Sequence, residues 1–288
     1  MSNLSFSIAN LKCGYQSKDV VLEISELEIP SSGLVFVVGP SGSGKSTFLE
    51  TLGLMNNSIR NPGEARIDFS RSADIGKENL IQSWTKTEDF RADLRNEYFS
   101  FLFQQTNLMP HFTAGENMCM AMLIEGYSFH DAKERVLEVM KLLDLDEAIF
   151  GRRTSELSGG QRQRLAFVRA FTGRYKILFG DEPTGNLDAG TARKLMDVLK
   201  NQVVEKVDRV CLIVSHDLDL AQQYADMIIP IQFVMSADQE NRKYGFVSSQ
   251  TVFHRRGDEW YNHIGPIDNF RAKLSDIIVS RSAINSAT

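Results

Sequence analysis

Cysteine is scarce in this chain of 288 residues: Cys13, Cys119 and Cys211 stand far apart among apolar neighbours. An odd, scattered trio builds no disulfide framework and lacks the paired spacing of a zinc site, so a reducing compartment is expected. Long apolar runs are missing as well. The longest, LVFVV at 34–38 and MCMAMLI at 118–124, fall far short of the roughly 20 residues that a bilayer-spanning helix needs. The opening MSNLSFSIANLK has neither the charged start nor the apolar stretch of a secretory leader. Charge of one sign is concentrated nowhere: 32 Lys and Arg stand against 37 Asp and Glu, net −5, with no polybasic tail. No nucleic-acid partner is expected from that balance. The expectation is a cytoplasmic protein whose contact with a membrane goes through a partner.

What is present is an ordinary globular composition, 42% hydrophobic and 24% charged, sufficient for a sizeable core. Short β-like pieces (SFSIANLKCGY, VVLEISELEI) precede a turn at 30–33. LVFVVG then reads as a fully buried strand and STFLETLGLM as a helix. Residues 56–97 are polar, with a turn at NPGE and a short charged helix at TEDFRADLRNE. FSFLFQQ (99–105) is a second buried strand, and DAKERVLEVMKLLDL (131–145) an amphipathic helix with Val136, Val139, Met140 and Leu143 inward. GGQRQRLAFVRAFTG opens another helix, which stops at Gly173. Strand-like runs follow at 176–181, 210–217 and 227–235, with helices between. Alternation of this kind predicts an α/β fold with a mainly parallel sheet.

The strongest local signal is GPSGSGKST, from Gly39 to Thr47. It matches the P-loop pattern and sits between a predicted strand and a predicted helix, the context that the pattern requires. Gly39, Ser41, Gly42, Ser43 and Gly44 let the backbone wrap phosphates with its N–H groups pointing inward. Lys45 supplies a point charge near the β- and γ-phosphates, and Ser46, next to Thr47, offers a hydroxyl to Mg²⁺. ILFGDEP (177–183) ends an apolar strand in Asp181 and Glu182. Beside a P-loop these read as a metal carboxylate and a general base for the attacking water; a strand that merely ends in charge is the plain alternative. VSHD (214–217) ends a strand in His216, and Gln104 closes FSFLFQ. A parallel sheet brings such endings to the edge where ligands bind. ELSGGQRQR (156–164) is a second glycine-rich turn feeding a helix, a second candidate anion site.

GPSGSGKST, FQ at 103–104, LSGGQ at 157–161, LFGDEPTGNLD at 178–188 and VSHD at 214–217 together resemble the ABC-type ATPases, the nucleotide-binding subunits of ABC transporters. The motifs keep the family's order over about residues 10 to 225. The resemblance implies a P-loop ABC ATPase core over residues 1–235, with an antiparallel β-subdomain and an inserted helical subdomain at about 105–165. A C-terminal extension, 236–288, reads as a β-hairpin and a helix. It implies ATP and Mg²⁺ as cofactors, Tyr15 stacked on adenine, Gln104 as the Q-loop glutamine reaching metal or water, and His216 as the switch histidine. It also implies a homodimer: Ser158, Gly159, Gly160 and Gln161 of one subunit cover the γ-phosphate held by the other, and Asp188 signals between the sites.

Gly185-Asn186-Leu187-Asp188 and the stretch 94–117 are similar to the branch of lipoprotein-release, macrolide-efflux and cell-division ATPases. That branch implies integral membrane subunits moved by ATP-driven closure, for export, lipoprotein extraction or mechanotransmission, with the chain on the cytoplasmic face. A soluble regulatory ATPase is the alternative. The Met-rich segment after Gln104 has two readings, subdomain packing and a groove for a membrane-subunit helix.

Overall fold

The computed structural model describes residues 4–15, 19–72, 76–205, 208–236, 242–279 and 282–283. β1 (Leu4–Cys13) and β2 (Leu22–Pro30) pair antiparallel. In β2, Leu22, Ile24, Leu27 and Ile29 are buried while Glu26 and Glu28 are exposed, the mark of a sheet with one wet face. β3 (Gly33–Val38) is buried at every position and leads directly to helix α1 (Lys45–Leu52). β4 (Arg66–Ser72) and β5 (Gly76–Asn79) form a hairpin. The short α2 (Leu80–Ser83) and α3 (Glu88–Tyr98) follow, the latter capped by the Thr87 hydroxyl and opened by Glu88 and Asp89, acids that suit a helix N-terminus. β6 (Phe99–Leu102) ends that stretch.

α4 (Ala114–Ile124), α5 (Phe129–Leu142) and α6 (Gly159–Thr172) then pack on one another. Met118, Met122, Val136, Val139, Met140 and Phe167 are buried in their shared core. Beyond them come β7 (Ile177–Asp181), α7 (Ala189–Glu205), β8 (Val210–Val214), α8 (Leu218–Tyr224) and β9 (Met227–Pro230). The chain continues as β10 (Gln232–Met235), β11 (Lys243–Val247), β12 (Phe253–Arg256), β13 (Glu259–Tyr261), α9 (Phe270–Val279) and β14 (Ser282–Ala283).

Two seven-stranded sheets result. One runs β13-β12-β9-β3-β8-β7-β6 and is parallel from β9 to β6; the other runs β14-β10-β11-β2-β1-β4-β5 and is largely antiparallel. This is the α/β architecture of a P-loop ATPase core with an antiparallel β-layer. Between the sheets Phe6, Phe69, Phe99 and Phe179 form a chain of rings, neighbouring centroids 5.1–5.3 Å apart. Aromatics of that size dominate the apolar burial holding such layers together.

One expected strand divides. The run 227–235 is not continuous: β9 belongs to the parallel sheet and β10 to the antiparallel one. Pro230 has no N–H to give, and Ile231 N–H bonds the Val38 carbonyl at 2.7 Å before the chain changes layers. β11 lies inside its sheet, parallel to β2 and antiparallel to β10. The connection between β10 and β11 lies mostly outside the described residues. Among the described residues no helix is long and apolar enough to cross a membrane.

Candidate functional site

Four parallel strands end on one edge of their sheet, and the polar residues expected to do chemistry sit at those ends. Gly39 follows β3, Gln104 lies two residues past β6, Asp181 closes β7, and His216 lies two residues past β8. Parallel strands make this convergence automatic, because their carboxyl ends share an edge.

The turn between β3 and α1 is shaped by close packing. A Cβ at Gly39 would lie 2.7 Å from the Ile231 carbonyl oxygen, and Gly44 has φ +92, a left-handed conformation that costs an L side chain strain. Gly44 also occupies the N-cap of α1 with no side-chain cap, so the first N–H groups of the helix are left for a ligand. The Lys45 ammonium folds into the turn and donates to the carbonyls of Gly39 (3.0 Å) and Pro40 (2.9 Å). Burial pushes its pKa down, and the carboxylates of Glu182 and Asp181 oppose that shift.

Ser46 Oγ donates to Asp181 Oδ2 at 3.0 Å. A hydroxyl beside a carboxylate is a pair of hard oxygen donors, the chemistry that Mg²⁺ takes when phosphates complete its shell. Among the described residues no group of three or more His, Cys, Asp and Glu side chains could hold a metal by itself. Glu182 has φ +49, and His216 Nε2 lies 2.5 Å from Glu182 Oε1. A non-glycine residue held left-handed is strain of the kind that clusters at working sites.

Ser41, Gly42, Gly44, Lys45, Ser46 and Thr47 line one cleft of about 370 Å³ with Gln104, Glu182 and His216. Val21, which the sequence did not suggest, adds an apolar wall. Tyr15 touches the rim: its hydroxyl bonds Thr47 Oγ1 at 2.9 Å and Glu50 Oε2 at 3.2 Å, and its ring is half exposed.

The other glycine-rich turn is not part of this cleft. Ser158 caps α6 in a capping box: its Oγ accepts from Gln161 N–H at 3.2 Å, while Gln161 Oε1 accepts from Ser158 N–H at 2.9 Å. A Cβ at Gly159 or Gly160 would meet nothing within 4 Å. Asp188 is likewise outside the cleft and caps α7 through Gly190 and Thr191 N–H. The Thr191 hydroxyl on its carboxylate holds its pKa below the usual range.

The sequence also missed Gln163 and Arg169 on α6. Gln163 is a polar residue on the face that carries Phe167 and Ala170, which a helical wheel would have flagged. A second concavity, about 790 Å³, opens between α3–β6 and α4–α6, with Phe101, Phe103, Met120 and Ile124 in its lining and Glu125 and Arg174 among its charged residues.

The comparisons with known proteins agree with this geometry. The family model described as ABC transporter matches residues 22–185. An uncharacterized ABC transporter ATP-binding protein of Methanocaldococcus jannaschii, MJ0796, is 34% identical over 211 residues, 72% of this chain and 82% of its own. The lipoprotein-releasing system ATP-binding protein LolD of Legionella pneumophila is 34% identical over 210 residues, 73% of this chain and 86% of its own. The macrolide export ATP-binding/permease protein MacB of Burkholderia thailandensis is 34% identical over 212 residues, 74% of this chain and 30% of its own. The solved dimer of MJ0796 in a post-hydrolysis state, bound to ADP and Pi, superposes with a TM-score of 0.65 at 27% identity, covering 78% of this chain and 93% of that one. With the motifs, the cleft and the relatives in agreement, the chain belongs to the family of ABC transporter ATPases.

Proposed function

We propose that two copies of this chain close head to tail on two ATP molecules, and that hydrolysis reopens them to move integral membrane subunits. The observation that carries the reading is the separation of the two phosphate-binding turns. The cleft at 39–47 holds hydrolytic side chains, whereas the turn at 158–161 contributes nothing to its lining and has open space beyond its glycines. A two-fold arrangement gives each open turn an anion to cover, supplied by the partner.

In this reading the backbone at 39–47 and Lys45 bind the phosphates, and Tyr15 stacks on the base from the rim. Ser46 and Asp181, with Gln104, would hold Mg²⁺, which would supply neutralisation of charge on the phosphates. Glu182 takes the proton of the attacking water, and His216, 2.5 Å away, fixes the carboxylate in place. Ser158, Gly159, Gly160, Gln161 and Asp188 act on the site of the opposite copy. ATP drives closure because it binds the closed pair better than the open one.

Lipoprotein release and export are the forms of work that the named relatives suggest, and mechanotransmission is a third that the resemblance in the motifs implies. The 790 Å³ groove suits a short helix from a membrane subunit, with adaptable Met120 and exposed Ile124 in it; Met118 and Met122, by contrast, are core. Under this reading the chain rests on the cytoplasmic face of a membrane, and detergent-dependent extraction of a membrane-bound pool checks that part.

The decisive experiment is Glu182→Gln. Hydrolysis is expected to fall by about 10²–10⁴-fold with ATP binding intact, and ATP-bound dimers should accumulate in size-exclusion chromatography. Native turnover in this variant would remove Glu182 from its role and leave the reading without its base.

A further inference from the structure

Helix α6 reaches well beyond the turn at its own start. Gln163 is 2% exposed, and its Nε2 donates to the Pro183 carbonyl at 3.0 Å. Further along the same helix, Arg169 donates from Nη1 to the Asn107 carbonyl at 2.8 Å and from Nη2 to the Thr106 carbonyl at 2.9 Å. Pro183 directly follows Glu182, and Thr106 and Asn107 follow Gln104 and Gln105. One helix therefore begins at Ser158–Gln161 and grips both loops that carry the hydrolytic side chains of its own chain.

Both grips fall beside strained backbone. Glu182 has φ +49 and Asn107 φ +44. Such conformations persist only where neighbours over-determine them. For Glu182 those neighbours include the Val214 carbonyl, which accepts its N–H at 3.0 Å, and Gly185 N–H, which donates to its carbonyl at 3.1 Å. Gln163 adds a third hold one peptide further on. A buried amide is an expensive group to keep without a use, since an apolar side chain would fill the space at no polar cost. The helix between the grips is stiff: Leu165, Ala166, Phe167 and Val168 are all buried, and close-packed interiors transmit displacement.

We propose that Gln163 and Arg169 are positioning residues that tie Glu182 and Gln104 to α6, so that a shift of the turn at 158–161 caused by the opposite copy's phosphate reaches this chain's own hydrolytic residues. The inference rests on the dimer reading above and adds the route by which each site senses the other.

The test uses the full chain and measures kcat, KM for ATP and Tm in Gln163→Met, Arg169→Met and Arg169→Lys. Met keeps length and packing but removes the donors. The two Met variants are expected to lose about 10- to 100-fold in kcat, the scale of a slightly misplaced catalytic group, with KM and Tm near native. Arg169→Lys is expected to fall between, because an ammonium lacks the guanidinium's planar fork for two acceptors. Native kcat in both Met variants overturns the proposal. So does a loss of activity matched by an equal loss of folded protein, with Lys no better than Met. Gly159→Asp run in parallel separates the two levels of argument. If Gly159→Asp still turns over, the dimer reading fails; if it is inactive while both Met variants are native, only the grips fail.

Discussion

The turns at 39–47 and 158–161 both lead glycine-rich backbone into a helix, and they are finished in opposite ways. The first is walled by its own chain: Gly39 lies against Ile231, Gly44 against Leu22, and Lys45 is only 6% exposed. It has no side-chain cap, so its helix N-terminus keeps free donors inside a cleft. The second has a complete capping box and bare glycines with open space beyond them. A capped, open helix start is stable in the lone chain and still offers the N–H groups of Gly159 and Gly160. An uncapped, walled start is incomplete until its ligand arrives. The pair teaches that glycine content alone does not define a phosphate site; what surrounds the turn decides whether it works alone or with a partner.

That contrast can be broken at either end. The broadest effect, on binding and turnover together, is expected from Lys45→Ala, which removes the ammonium that lines the cleft; ATP binding weakens and turnover falls by about 10²–10³-fold, as read by nucleotide titration and phosphate release. Gly159→Asp comes next. Its Cβ meets nothing in the lone chain, so the fold and monomer ATP binding should be kept, while a carboxylate facing the opposite phosphate abolishes turnover. Turnover at the native rate would erase the distinction between the two turns. Last, and read for the stability of the lone chain only, is Ser158→Ala, which deletes half of the capping box. It should cost about 1 kcal/mol of stability, a drop in Tm of roughly 2–4 °C for a domain of this size class, whereas no equivalent cap exists at Gly44 to delete.

Much of this was legible because it is local. A nine-residue motif between a strand and a helix fixes the placement of Lys45 and Ser46, and parallel strands carry Asp181, Gln104 and His216 to one edge. The amphipathic spacing of α5 likewise announced Val136, Val139 and Met140 as core. What stayed hidden depends on packing between distant segments. The run at 227–235 has no periodicity to reveal that it changes sheets at Ile231. Gln163 looked like one more polar residue of a helix, because its partner, the Pro183 carbonyl, lies across a layer boundary. The capping of α7 by Asp188 was masked by the stronger motif around it.

Gly245 of β11 shows how far such dependence extends. A Cβ there would sit 1.9 Å from the carbonyl oxygen of Ser43, and its N–H bonds the Val21 carbonyl at 2.8 Å. The phosphate turn is thus backed by a strand made some two hundred residues after it. At elongation rates of about 5–20 residues per second, the turn leaves the ribosome tens of seconds before its backing exists. The nucleotide site is among the first parts of the chain to be synthesised and among the last to be finished.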